Sequence, residues 1–156
     1  MIKITILTLG KLKEKYLIEF AKKYIKLLNH YCKLEFIEID SIKIKDDVNK
    51  ILAIEEKKIL KFIENRNNYI IVLDEIGKEF TSIEFSKKME KIINYENKPL
   101  LFIIGSPYGL TKKIKDKANL KLALSKLTFT HDMSRIFLLE QIYRNFKIMK
   151  KESYHK

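Results

Sequence analysis

Two uninterrupted apolar runs constrain this chain most: YIIVL at positions 69–73 and LLFII at positions 100–104. A strand with one face in water alternates apolar and polar residues, whereas one that is apolar throughout is covered on both faces. Such coverage arises when helices carry the chain back to lay parallel strands side by side. The rest of the pattern agrees. Ile2 to Leu9 reads as a β-branched strand ended by Gly10, and Leu34 to Ile39 alternates as another. Between them Tyr16, Phe20, Tyr24, Leu27 and Tyr31 recur at three and four residues, one stripe of an amphipathic helix. Val48, Ile51, Leu52, Ile59 and Ile63 mark a second helix. Asp74 to Thr81 reads as a polar loop centred on Gly77. Thr81 or Ser82 caps a helix carrying Ile83, Met89, Ile92 and Ile93. Thr111 starts a short lysine-rich helix, Leu120 to Thr130 reads as a strand and loop, and Thr130 or Asp132 caps a last helix ending near Lys150. The expectation is an α/β fold with a mainly parallel sheet. With 156 residues, no repeat and no Gly-, Pro- or Ser-rich linker, one domain spanning 1–156 is the economical organisation.

The last helix carries more apolar surface than one face requires. Ile136, Leu139, Tyr143 and Phe146 form one row, and Leu138, Ile142 and Met149 a second. The excess either fills the core of the chain or forms a subunit interface; the interface is the expectation taken forward, because a long helix at a chain end often docks on a partner.

Much chemistry is excluded. The four glycines are Gly10, Gly77, Gly105 and Gly109, so neither a G-x-G-x-x-G fingerprint nor a P-loop is present. There is no H-E-x-x-H and no G-x-S-x-G. His30, His131 and His155 are far apart, Cys32 is the only cysteine, and no metal site or intrachain disulfide is expected. The N-terminus lacks a signal peptide's apolar core and cleavage site, and no apolar run approaches the roughly 20 residues that cross a bilayer. A cytoplasmic protein with no membrane partner is expected.

The net charge of +12 points to a polyanionic partner, most simply a nucleic acid. A lysine-biased composition is the plainer source of such a charge, since only Arg66, Arg135 and Arg144 are arginines. Lys112, Lys113, Lys115, Lys117, Lys121 and Lys126 cluster with only Asp116 opposing them in sequence, a pattern that attracts phosphates without reading bases.

What remains is a set of loops after strands: Leu73 to Gly77, Gly105 to Leu110 and Leu124 to His131. Ligands of open parallel sheets bind outside the carboxyl ends of the strands. Gly105 permits close backbone approach and Pro107 stiffens the turn before Gly109. Taken singly, each residue is also what an ordinary turn uses.

Taken together, LDEIGKEFTS (Leu73 to Ser82), LLFIIGSPYGL (Leu100 to Leu110) and LSKLTFTHDMSRIFLLEQIYRNFKI, with a tail ending Tyr154-His155-Lys156, resemble the ribosomal large-subunit RNA methyltransferase H family of the SPOUT class. The resemblance spans essentially the whole chain. It implies a SPOUT-type α/β knot: a mainly parallel sheet, helices on both faces and a deep C-terminal trefoil knot. It implies methyl transfer from S-adenosylmethionine to N3 of a pseudouridine in 23S ribosomal RNA, by a homodimer in which one subunit's tail completes the other's site. Carried over by position, cofactor contacts fall on Leu73, Gly105, Leu124, Ser125, Lys126, Leu127, Thr128 and Phe129. The chain departs from the family in having Ser106-Pro107-Tyr108 after Gly105, Thr130 before His131, and Ser153 and Lys156 around Tyr154-His155.

The acceptor nitrogen carries a proton near neutral pH, so a base is needed, and histidine suits that pH. His155 is the first candidate, with Tyr154 orienting or stacking on it, and His131 the second. Arg135 and Arg144, nine positions apart, point to opposite sides of a helix at about 100° per residue; Arg144 is assigned to the site. Two other functions fit: a SPOUT methyltransferase acting on another ribosomal or transfer RNA position, and a non-catalytic basic protein that binds ribosomes.

Overall fold

The computed structural model of the chain describes residues 1–42 and 47–154. Among these, five strands alternate with five helices: β1 (Lys3–Leu9), α1 (Lys15–Leu28), β2 (Lys33–Ile39), α2 (Val48–Ile63), β3 (Tyr69–Lys78), α3 (Ser82–Glu96), β4 (Leu100–Ile104), α4 (Lys112–Asp116), β5 (Leu120–Leu122) and α5 (His131–Met149). The strands form one sheet in the order β2-β1-β4-β3-β5, and every pairing is parallel.

The apolar runs have the cause their sequence suggests. Ile4, Ile6, Ile71, Leu100, Phe102 and Ile104 face a core completed by α1, α3 and α5. Their neighbours Leu7, Leu9, Val72, Leu101 and Ile103 face the other side, where Ile59 of α2 and Ile114 of α4 cover them. Each residue of β4 is therefore buried whichever way it points.

Helix starts are set locally. Thr81 accepts from the Glu84 amide while the Glu84 carboxylate accepts from the Thr81 amide, a reciprocal capping box. Thr111 caps α4 and Thr130 caps α5 in the simpler way. Among the described residues, no helix is long and apolar enough to cross a membrane.

Three expectations need correction. Asp74 to Gly77 is not a free loop: β3 continues to Lys78 through a bulge, Leu73 and Lys78 both lying opposite Leu122. Glycine is required there, because a Cβ on Gly77 would sit 2.7 Å from the Lys121 backbone. On α1 the buried face is Leu17, Ala21, Tyr24 and Leu28, leaving Tyr16 and Phe20 67% and 41% exposed. On α5, Ile136, Leu138, Leu139, Ile142, Tyr143 and Phe146 are all buried in the chain's own core, packed with α1, α3 and the sheet. Those two apolar rows fill the chain's own core, the alternative the sequence left open; the helix is apolar around most of its girth because neighbours of its own chain flank it.

Candidate functional site

The chain turns sharply where β4 ends. The Gly109 amide donates to the Ser106 carbonyl at 2.8 Å, and Gly109 takes a φ of +83° that favours glycine. At Gly105 a Cβ would lie 2.7 Å from the Gly109 carbonyl carbon and oxygen, so two backbone segments meet where a side chain would stand. The bulge of β3 places Leu73, Asp74 and Glu75 alongside. The segment after β5 is held by the Leu127 amide donating to Ser125 Oγ at 2.9 Å, and by the Thr128 hydroxyl donating to Glu75 at 3.1 Å. These three segments and the first turn of α5 enclose a cleft of about 310 Å³ at the carboxyl ends of β3, β4 and β5.

Its walls mix apolar side chains, Ile104, Leu122, Leu124 and Leu127 among them, with two carboxylates. Lys115 Nζ donates to Asp74 Oδ1 at 3.1 Å, while Asp74 Oδ2 is buried without a hydrogen-bond partner. His131 sits at the rim, its Nε2 3.1 Å from Asp132 Oδ1. Burial pulls the His131 pKa below its ordinary value; Asp132 opposes this, and Arg135 and Lys13 add to it. The ring is therefore neutral at neutral pH.

Of the residues singled out from sequence, Leu73, Gly105, Leu124, Ser125, Leu127, Thr128, Phe129 and His131 line this one cleft. Lys126 does not; its ammonium points outward, 4.0 Å from Glu79. Arg144 and Tyr154 form a separate cluster against α1. Arg144 pairs with Glu140 at 2.6 Å, and its guanidinium lies 4.8 Å from the Tyr154 ring centroid. The Tyr154 hydroxyl donates to Glu140 at 3.1 Å and lies 3.1 Å from the Tyr24 hydroxyl. Burial, with Tyr24 and Glu140 assisting, raises the Tyr154 pKa far above that of a free phenol. His155 lies outside the described residues.

Sequence reasoning included Asp74, Glu75 and Ser106 only within the candidate loops and named none of them as a contact. The available signal was Asp74-Glu75 following directly on a strand buried on both faces, where an acidic pair is out of place unless it meets something. It also overstated the basic cluster. Lys113 is paired with Glu56, Lys115 with Asp74 and Lys126 with Glu79, besides the contacts of Lys112 and Lys121 with Asp116. Folding brings carboxylates from α2, from β3 and from Glu79 just after it to these lysines, so the charge there is far more balanced than the linear sequence suggests.

The family model described as "Predicted SPOUT methyltransferase" matches residues 2–155. The chain is 44% identical to ribosomal RNA large subunit methyltransferase H 1 of Clostridium perfringens, over 98% of this chain and 99% of that one. It is 40% identical to ribosomal RNA large subunit methyltransferase H of Enterococcus faecalis, covering 99% of both. Among solved structures, a probable methylase family protein from Haemophilus influenzae superposes over 95% of this chain with a TM-score of 0.53 at 16% identity. That likeness bears on the fold, and this chain spans 66% of that protein's length.

Proposed function

The chain belongs to the SPOUT methyltransferases and, within them, to the ribosomal RNA large subunit methyltransferase H family, and from that membership we propose that it methylates N3 of a pseudouridine in 23S ribosomal RNA with S-adenosylmethionine. The observation that carries the reading is the cleft, where the three segments named from sequence converge with His131.

The cleft's residues fit the donor. Apolar walls suit a purine and a methylene chain, and the carboxylates of Asp74 and Glu75 suit a sulfonium and an ammonium. The unpartnered Asp74 Oδ2 and the bare backbone at Gly105 are further features of such a site. Leu73, Gly105, Leu124, Ser125, Leu127, Thr128 and Phe129 are assigned to hold it; Lys126, turned away from the cleft, is not. When bound, the donor supplies an electrophilic methyl group, so the protein's main task is alignment.

The chain's own residues then divide the work. The acceptor nitrogen must give up a proton, and His155 is assigned as its base, with His131 as the second candidate. Neutral His131 retains a lone pair at the pH where it is needed. Tyr154, kept protonated by its surroundings, serves as donor and stacking surface rather than as base. Arg144, anchored by Glu140, holds that ring.

A homodimer joins the two clusters. Tyr16, Phe20, Met133 and Phe137 line an apolar groove of about 470 Å³ between α1 and α5, bordered by Glu140 and Gln141. Glu140 holds the tail, and Met133 lies two residues past His131 at the cleft. In the dimer that the family resemblance implies, one copy's tail completes the other's site. The same reading includes a C-terminal trefoil knot. Its support is membership of the SPOUT family, and Gly105 and Phe129, which such a knot would bring together, line one cavity.

The test is mass analysis of nucleosides from large-subunit RNA of a strain lacking the gene. Loss of one methylated pseudouridine, restored by the purified protein with S-adenosylmethionine and large subunits, is the expected result. An unchanged methylpseudouridine level would overturn the assignment. Loss of a different methylated nucleoside would move the enzyme to another RNA position.

A further inference from the structure

The turn after β4 is fastened by two consecutive residues of α2, Glu55 and Glu56. Glu55 is only 3% exposed, yet its carboxylate accepts a hydrogen bond from Ser106 Oγ at 2.8 Å. Glu56 accepts from Thr111 Oγ1 at 2.6 Å and lies 3.6 Å from Lys113 Nζ. Ser106 and Thr111 bracket the turn that forms one wall of the cleft.

Burial of Glu55 is expensive. Removing a carboxylate from water without full compensation is unfavourable, and an apolar residue would suit a helix packed on a sheet better. Burial raises the Glu55 pKa; the Ser106 hydrogen bond and the charge of Lys58 oppose it only in part. The Lys58 ammonium itself donates to the Asp40 carbonyl at 3.0 Å. The carboxylate's hydrogen bond thus goes to the turn. Ser106 Oγ in addition lies 3.4 Å from the Tyr108 amide, inside the same turn.

We infer that Glu55 is a positioning residue of this methyltransferase: through Ser106 it holds the Gly105–Gly109 turn in the shape that accepts the methyl donor, with Glu56 and Thr111 anchoring the turn's far end. The inference rests on the reading of the cleft as a donor site. Glu55 reaches that site only through Ser106, and lies outside the set of residues lining the cleft.

Two measurements on the full-length protein test it. The first is hydrogen exchange of the backbone amides of residues 106–111 (Pro107 has none) without any ligand. Glu55→Leu and Ser106→Ala should each speed exchange there and leave α5 unchanged, while Glu55→Gln, which keeps an acceptor oxygen, should restore protection. The second is calorimetric titration with S-adenosylmethionine. Glu55→Leu and Ser106→Ala should each weaken binding about tenfold, the scale of one net hydrogen bond, and the double variant should be no weaker than either single one. Unchanged exchange in Glu55→Leu, or additive losses in the double variant, would overturn the inference. If the unaltered protein binds no S-adenosylmethionine, the reading of the cleft fails instead, and the exchange measurement still decides whether Glu55 holds the turn.

Discussion

Arg135 Nη2 donates to the Leu9 carbonyl at 2.8 Å, tying the first turn of α5 to the end of β1 across 126 positions of sequence. The guanidinium is fully buried; Nη1 lies 3.4 Å from Glu38 and Nε 3.7 Å from Asp132. The contact fixes where α5 begins, and with it where His131 stands at the rim of the cleft.

Arg135→Ala should cost about 3–5 kcal/mol, since removing one partner strands Glu38, Asp132 and a backbone carbonyl and opens a cavity. Urea denaturation of the purified protein measures this. A cost under about 1 kcal/mol, typical of an exposed ion pair, would show that the arginine does not tie α5 to β1.

His131 should make stability fall in mild acid. Burial lowers its folded pKa, so between that value and about 6.5 the unfolded chain binds the extra proton more readily. Its contribution is fully present above pH 6.5 and is lost as pH falls through the folded pKa. His131→Asn should flatten the pH dependence of the unfolding midpoint in this window; a slope equal to the parent's would assign the effect to another group.

Gly105 and Gly109 should respond differently to alanine. At Gly105 the new Cβ meets the Gly109 backbone at 2.7 Å, so the turn must shift and donor affinity should drop at least about tenfold. At Gly109 there is open space, but φ is +83°, a conformation that costs a residue with a Cβ about 1–2 kcal/mol. Titration with S-adenosylmethionine and thermal melting separate the two effects, and equal affinity losses would contradict the geometry.

The tail should matter for transfer rather than for donor binding. Deleting Tyr154 to Lys156 is expected to lower methylation of large subunits far more than S-adenosylmethionine affinity. Mixing that variant with His131→Ala protein, after exchange of subunits, should restore part of the activity if tail and cleft act in opposite protomers. No recovery in demonstrably mixed dimers would place both in one chain or make both changes dominant.

The sequence by itself determined the order of strands and helices, the region of each helix start and the burial of β4 and of the first half of β3 on both faces. These depend on periodicity and on side chains a few residues apart, so any stretch of a dozen positions carries the information. The grouping of Gly105 with the segment from Leu124 to His131 followed from the strand-end rule for parallel sheets, and the family resemblance narrowed it to single residues. Tertiary structure decided the rest: the β2-β1-β4-β3-β5 order, the bulge at Asp74–Gly77, the burial of both apolar rows of α5 and the pairing of Lys113, Lys115 and Lys126 with distant carboxylates. It also set Arg144 and Tyr154 apart from the cleft and brought Glu55 to Ser106. Those features depend on which elements pack against one another, and a residue's spacing along the chain carries no record of what will meet it across the sheet.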